Sequence, residues 1–94
     1  MSGAGERRAA RSAVRDYHEA ELRTLVNQVG VALDAYRAGE LDAFEFDEIL
    51  FQYSRAAKEL WKFCNLTQPE FTAALIRKGP AQDWWERGAP RRRR

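Results

Sequence analysis

The feature that most limits the possible folds is the long stretch from Arg8 to Arg37, which contains no proline and only one glycine, Gly30. One row of mainly apolar side chains recurs there at spacings of three and four residues: Val14, His18, Leu22, Leu25, Val29, Ala32, Leu33 and Tyr36. This spacing is typical of an amphipathic α-helix. Gly39 follows at the point where helices commonly end in a left-handed turn. The sequence therefore predicts a helix over residues 8–37, about 45 Å long at 1.5 Å per residue.

A second helix start follows almost at once. Asp42 and Glu45 have the spacing of a capping box, in which each side chain bonds the backbone amide of the other residue. The pattern predicts a helix over residues 43–64, whose main apolar row is Phe46, Ile49, Leu50, Tyr53, Ala57, Leu60 and Cys64. Because so short a connection joins antiparallel neighbours, the two helices should form an αα-hairpin.

A third helix start is predicted at Thr67, which pairs with Glu70 as a second capping box. This helix should cover residues 68–78, since Gly79-Pro80 ends it. A final short helix is expected over residues 80–87. The predicted fold is all-α, with residues 1–94 in a single domain and with residues 1–7 and 89–94 disordered.

Composition excludes several classes of protein. No run of about 18 apolar residues is present, and the N-terminus lacks a signal-peptide core, so neither a membrane span nor secretion is expected. Cys64 is the only cysteine, which excludes an internal disulfide and fits a reducing cytoplasm. His18 is the only histidine and is expected far from Cys64, on a different helix. The residues therefore predict no metal site, no cofactor and no enzyme activity.

From Lys58 to Gly88 the chain resembles the lambda-repressor-like (Cro-type) helix-turn-helix family. The resemblance rests on these residues: Leu60, Asn65, Leu66, Thr67, Gln68, Glu70, Phe71, Leu75, Trp85, Glu86, Arg87 and Gly88. The turn departs from the family pattern, because Ile76, Arg77 and Lys78 stand where a glycine, a β-branched residue and a hydroxyl cap are usual. The third helix would carry Ala81, Gln82, Asp83 and Trp84, of which only Gln82 suits base reading in the major groove.

The resemblance implies DNA binding, mainly through contacts to phosphates. Thr67 and Gln68 would lie at a phosphate, and Gln82 would lie nearest the bases. Further phosphates would be neutralised by a set of basic side chains: Lys78, Arg87, Arg91, Arg92, Arg93 and Arg94. Such contacts provide affinity without sequence information and weaken as salt rises.

Four aromatic residues of the second helix lie away from its main apolar row: Phe44, Phe51, Trp61 and Phe63. Two explanations stay open, because either the C-terminal helices cover them or they form a homodimer interface. The first functional hypothesis is a small cytoplasmic DNA-binding regulator of transcription that dimerises through the hairpin. The alternative is a helical protein-interaction module, such as an adaptor or an antitoxin-like partner, that binds no DNA.

Overall fold

A computed structural model describes residues 3–90 of the chain. In this range the chain forms four α-helices and no strand: α1 (Ala4–Arg37), α2 (Ala43–Asn65), α3 (Pro69–Lys78) and α4 (Trp84–Arg87). The first two helices form a long antiparallel hairpin, α3 packs mainly on α1, and α4 packs mainly on α2. The predicted all-α hairpin with short C-terminal helices is thus confirmed. Between residues 3 and 90, no helix combines the length and the apolar character needed to cross a bilayer.

Helix α1 begins at Ala4, four residues before the predicted start, so residues 4–7 are helical where disorder was predicted. Its first turn is closed by a hydrogen bond from Arg7 N to Gly3 O over 2.9 Å. Residues 4–9 are exposed, so this extra turn is held by backbone hydrogen bonds and not by packing. The sequence-based predictions for residues 1, 2 and 91–94 lie outside the described residues.

Both ends of the hairpin turn follow the local signals in the sequence. Gly39 has a φ of 81°, the left-handed value that glycine adopts without strain. The amides of Gly39 and Glu40 donate to Tyr36 O and Ala35 O over 3.0 and 2.9 Å, which is the Schellman pattern of helix ends. The capping box is formed as predicted, with 2.8 Å from Glu45 N to Asp42 Oδ1 and 2.9 Å from Asp42 N to Glu45 Oε1.

The start of α3 differs from the prediction. Gln68 is the N-cap and Pro69 is the first helical residue, so the predicted capping box of Thr67 and Glu70 is not formed. The Thr67 hydroxyl instead bonds the hydroxyl of Thr72, whose side chain is fully buried. A buried hydroxyl needs a hydrogen-bond partner, and proline suits the first helical position because its missing N–H would be unpaired there. These two effects together move the helix start by one residue.

The last helix is shorter than predicted, because residues 80–83 are not helical and α4 covers only Trp84–Arg87. Asp83 Oδ1 accepts a hydrogen bond from Glu86 N over 3.2 Å. An aspartate competes for backbone amides and favours the N-cap over the helix interior, so Asp83 sets the start of α4.

The core lies where the two helices of the hairpin meet the C-terminal helices α3 and α4. Leu25 of α1 packs with Ala56 and Leu60 of α2, and all three side chains are almost fully buried. Ala73 of α3 and Trp84 of α4 extend this cluster, so each C-terminal helix contributes a buried side chain. The C-terminal helices are therefore part of the core and fixed against one side of the hairpin.

Candidate functional site

An aromatic cluster of Tyr17, Phe63 and Trp84 attaches the C-terminal part of the chain to the hairpin. Trp84 Nε1 donates to Tyr17 Oη over 2.8 Å. The Phe63 ring lies 5.9 Å from the Tyr17 ring and 5.2 Å from the Trp84 ring, between centroids. Burial raises the pKa of the Tyr17 hydroxyl above its ordinary value. The cluster contributes to folding and leaves Trp84 only 2% exposed.

The segment that follows Trp84 lies directly on α2. Gln52 Nε2 donates to Trp85 O over 2.9 Å, and Arg55 Nε donates to Gly88 O over 2.6 Å. Gly88 approaches so closely that an added Cβ would lie 2.5 Å from Gln52 O and 2.6 Å from Ala56 N. This glycine is therefore required by a close approach of two backbones. The stretch Trp85-Glu86-Arg87-Gly88, which carries part of the resemblance to the helix-turn-helix family, therefore contacts α2 of the same chain.

Two of the residues predicted to bind DNA are paired with other side chains. Arg87 Nη1 donates to Gln82 Oε1 over 3.1 Å, and the same guanidinium lies 5.1 Å from the centre of the Trp84 ring. Arg87 Nη2 also lies 3.7 Å from Glu59 Oε1. A hydrogen bond from Lys62 is the main reason why the pKa of Glu59 is lowered. Gln82 and Arg87 thus bond each other on the surface of the fold, and both side chains remain exposed.

The geometry of α3 and α4 differs from that of a paired helix-turn-helix. No Cα atom of α3 comes within 8 Å of a Cα atom of α4, and each helix packs mainly on a different helix of the hairpin. Thr67 and Gln68 are exposed near the start of α3, whereas Lys78 is exposed at its end. The predicted phosphate contacts are therefore divided between separate places on the surface, and those of Arg91 to Arg94 lie outside the described residues.

The four aromatic residues predicted for an interface fall into different environments. Phe44 is 84% exposed, Phe51 57% and Trp61 51%. Phe63 is half-buried in the aromatic cluster with Tyr17 and Trp84, which corrects its assignment to the interface. It lies there because α4 covers this side of α2. The sequence left open whether the C-terminal helices cover these four residues, and among them only Phe63 is covered in this way.

A wider apolar surface lies on the opposite side of the hairpin. We call it the hairpin face, and it consists of Leu22, Val26, Val29 and Leu33 of α1 with Leu50, Ala57 and Trp61 of α2. Val26 is 50% exposed and Leu50 is 41% exposed, and the remaining members other than Trp61 are half-buried. The sequence placed most of these residues in the main apolar rows without separating them from the buried core.

The side on which this face lies follows from the helical repeat of about 100° per residue. One row of α2 contacts residues 84–88 and consists of Gln52, Ala56, Glu59 and Phe63. Leu50, Ala57 and Trp61 are rotated from that row by roughly 150°. On α1, Tyr17, Glu21 and Gln28 border residues 81–85, and Leu22, Val26 and Val29 are rotated from them by roughly 130°. Both rotations point to the same side of an antiparallel hairpin, away from α4.

A cleft of about 510 Å³ lies at the open end of the hairpin. Its walls combine side chains of α1 with the end of α2 and the start of α3: Arg11, Val14, Arg15, His18, Cys64, Asn65, Thr67 and Pro69. His18 and Cys64 line the same cleft because the antiparallel hairpin places the end of α2 beside this part of α1, so the expectation that they lie far apart is wrong. Burial raises the pKa of the Cys64 thiol to about 11, so the thiol is protonated at neutral pH. Among the described residues no group of three or more His, Cys, Asp or Glu side chains is placed to hold a metal ion.

Comparison with protein-family models, with curated protein sequences and with solved structures gives no significant match for this chain. The resemblance to the Cro-type helix-turn-helix family therefore stays a sequence-based prediction.

Proposed function

We propose that this chain is a helical protein-interaction module that pairs with a second copy of itself through the hairpin face. The observation that supports the proposal is the position of that face. One side of the hairpin is covered by α3 and α4, whereas the apolar row of Leu22, Val26, Val29 and Leu33 lies on the other side. Contiguous apolar surface of this kind usually marks an interaction site.

Helical architecture suggests what covers the face. A helix with an apolar stripe is stable when that stripe packs against another element, and two hairpins packed face to face make a four-helix bundle. Val26 and Trp61 are each about half exposed in the single chain. Pairing with a second copy would remove both from water and would place no part of α3 or α4 between the two hairpins.

The test uses two valines of α1 that lie on different sides of the helix. Val26 belongs to the hairpin face, and Val31, which is 68% exposed, lies outside it. We expect the purified full chain to sediment as a dimer at 100 μM, Val26→Glu to sediment as a monomer, and Val31→Glu to remain dimeric. A monomeric wild-type protein, or equal behaviour of the two variants, would contradict the proposal.

DNA binding is the second candidate function, and the cleft at the open end favours it. Arg11 and Arg15 line the same cleft as Thr67 and Pro69, so a phosphate at the start of α3 would also meet two arginines. Because Gln82, the one residue suited to base reading, does not line this cleft, the binding we propose is to phosphates and is independent of sequence.

This candidate is tested by titrating labelled duplex DNA of two unrelated sequences at 50 and 200 mM salt. Equal affinity for both duplexes, a steep loss with salt and weaker binding by Arg11→Ala/Arg15→Ala would support it. Arg23→Ala is the matched control, since Arg23 pairs with Glu19 away from the cleft. Absence of binding at 50 mM salt would exclude this function.

A further inference from the structure

We infer that the two copies pair antiparallel, so that the acidic tip of each hairpin covers the basic open end of its partner. This inference rests on the proposed function and adds to it the orientation of the partner. It depends on how charge is distributed along the apolar row of α1, and on the area that a stable dimer needs.

The row of the hairpin face continues towards the N-terminus as a row of arginines. Arg8, Arg11 and Arg15 precede Leu22 and Val26 at spacings that keep them on one side of α1. Residues 7–15 contain four arginines and no carboxylate. None of these arginines forms an ion pair within residues 3–90. One end of the interaction surface is therefore positively charged.

The other end of the hairpin carries the opposite charge. Residues 34–48, which span the turn, contain six carboxylates and one basic residue, Arg37. Asp42 and Glu45 bond backbone amides in the capping box, which keeps both carboxylates at the tip. Glu40 and Asp47 are exposed beside them. The tip is acidic, and the side of the open end that carries Arg8, Arg11 and Arg15 is basic.

The basic end and the acidic tip lie at similar distances from the middle of the apolar row. The row runs from Leu22 to Leu33, and Arg15 lies about 19 Å from its middle at 1.5 Å per residue. A point at the same distance on the other side lies just past the end of α1, at the level of Glu40 in the turn, inside the acidic segment. A two-fold axis through the middle of the row therefore brings each tip onto the arginines of the partner. A parallel pair would instead place like charges together at both ends, which is repulsive.

The area of the surface shows that its charged ends belong to the interface. The apolar row is about 17 Å long, and two neighbouring helices are about 19 Å wide, so the apolar part covers only about 300 Å². A stable interface buries about 800 Å² on each partner. The hairpin is two helices wide from about Arg15, where α2 ends, up to the turn. Extending the contact from Arg15 to Glu40 gives about 38 Å by 19 Å, or about 700 Å². A second copy of this chain approaches the size of a stable interface only if the arginine end and the acidic tip take part.

The orientation is tested by measuring the distance between the two tips. In a Cys64→Ala background, Ala38→Cys provides one site for a spin label at the exposed end of α1. Pulsed dipolar spectroscopy of the full-length dimer should give a distance of about 35 to 40 Å between the two labels, from their separation along antiparallel helices. A distance below about 20 Å would show a parallel pair and overturn the inference, while the proposed dimer would stand.

Charge reversal provides an independent test. Arg11→Glu/Arg15→Glu and Glu40→Lys/Asp47→Lys should each raise the dimer dissociation constant at least tenfold at low salt, and an equimolar mixture of the two variants should dimerise again. Lys78→Glu is the matched control, since Lys78 is exposed at the end of α3, on the covered side of the hairpin. If both pairs of reversals left the dimer dissociation constant at its wild-type value, the inference would be wrong. If the wild-type protein were itself a monomer, both the inference and the proposed function would be wrong.

Discussion

Trp84 Nε1 donates a hydrogen bond of 2.8 Å to Tyr17 Oη, and this bond joins two residues that are 67 positions apart in the chain. Trp84 is almost fully buried, so the indole N–H has exchanged water for this one acceptor. The Phe63 ring packs against both partners. The pair therefore fixes α4 to the hairpin and determines which side of the hairpin remains uncovered.

Tyr17→Phe should destabilise the fold although it removes only one oxygen atom. The indole N–H of Trp84 would stay buried without an acceptor, which costs about 1 to 3 kcal/mol of unfolding free energy. Urea unfolding followed by tryptophan fluorescence measures the change. Tyr36→Phe is the control, since Tyr36 is exposed and its ring only packs beside Phe46. Equal midpoints for the two variants would show that the bond contributes nothing.

Gly88→Ala should be more destabilising than its single added carbon suggests. The new Cβ would lie 2.6 Å from Ala56 N and 2.7 Å from Ala56 Cβ, and these are atoms of a packed helix that move only with their surroundings. We expect a loss of about 1 to 3 kcal/mol, the usual cost of overpacking. The same urea titration should show exposure of Trp84 at lower denaturant than in the wild type.

The matched substitution Gly30→Ala should have the opposite sign. Gly30 lies inside α1 and is exposed, and nothing beyond the adjacent helix backbone lies within 4 Å of an added Cβ. Alanine should stabilise the helix by about 0.5 to 1 kcal/mol because glycine loses more backbone entropy on folding. If both glycine variants were neutral, the close approach at Gly88 would not exist in solution.

The hairpin could be predicted from sequence because its signals are local. The capping box of Asp42 and the left-handed Gly39 each depend on residues within one turn, and both are formed as predicted. The start of α3 could not be predicted in the same way. It depends on Thr72, which becomes buried only when α3 packs on the hairpin and then bonds Thr67. Tertiary packing overrode a local capping signal.

The hairpin face was missed for a related reason. The sequence shows Leu22 and Leu25 in one apolar row, but the structure buries Leu25 completely and leaves Leu22 at the edge. Which edge stays uncovered depends on where Trp84 packs, and no local pattern specifies that position. The signal available in the sequence was the width of the apolar row of α1, because a row too wide to pack against a single helix indicates a second contact surface.

The side chains at the start of α3 allow a test that separates the predicted capping box from the observed hydroxyl pair. Glu70→Ala should change stability by less than about 0.5 kcal/mol, because Glu70 forms no cap and is exposed. Thr67→Ala should cost about 1 kcal/mol or more, since it leaves the buried Thr72 hydroxyl without this partner.

The double variant Thr67→Ala/Thr72→Val provides the control for that pair. Removing both hydroxyls should cost less than the sum of the two single changes, which a double-mutant cycle detects as coupling. A large effect of Glu70→Ala with additive threonine effects would restore the capping box and contradict the observed pair.

Cys64 provides a prediction that depends on pH. Because burial raises its pKa to about 11, the native protein at pH 8 should hold about a hundredfold fewer thiolates than an ordinary cysteine does. Alkylation by iodoacetamide should therefore be slow at pH 8 and should accelerate steadily up to pH 11, whereas the urea-unfolded chain should react fast and level off near pH 9.

The pKa of Cys64 in the folded protein lies above its pKa in the unfolded chain, so the folded protein binds the proton more tightly. Stability should be independent of this group below about pH 8 and should fall as pH rises towards 11. Ser54→Cys in a Cys64→Ala background gives an exposed thiol as the reference. Native alkylation of Cys64 as fast as that of this reference would mean that α1 and α3 do not cover the end of α2.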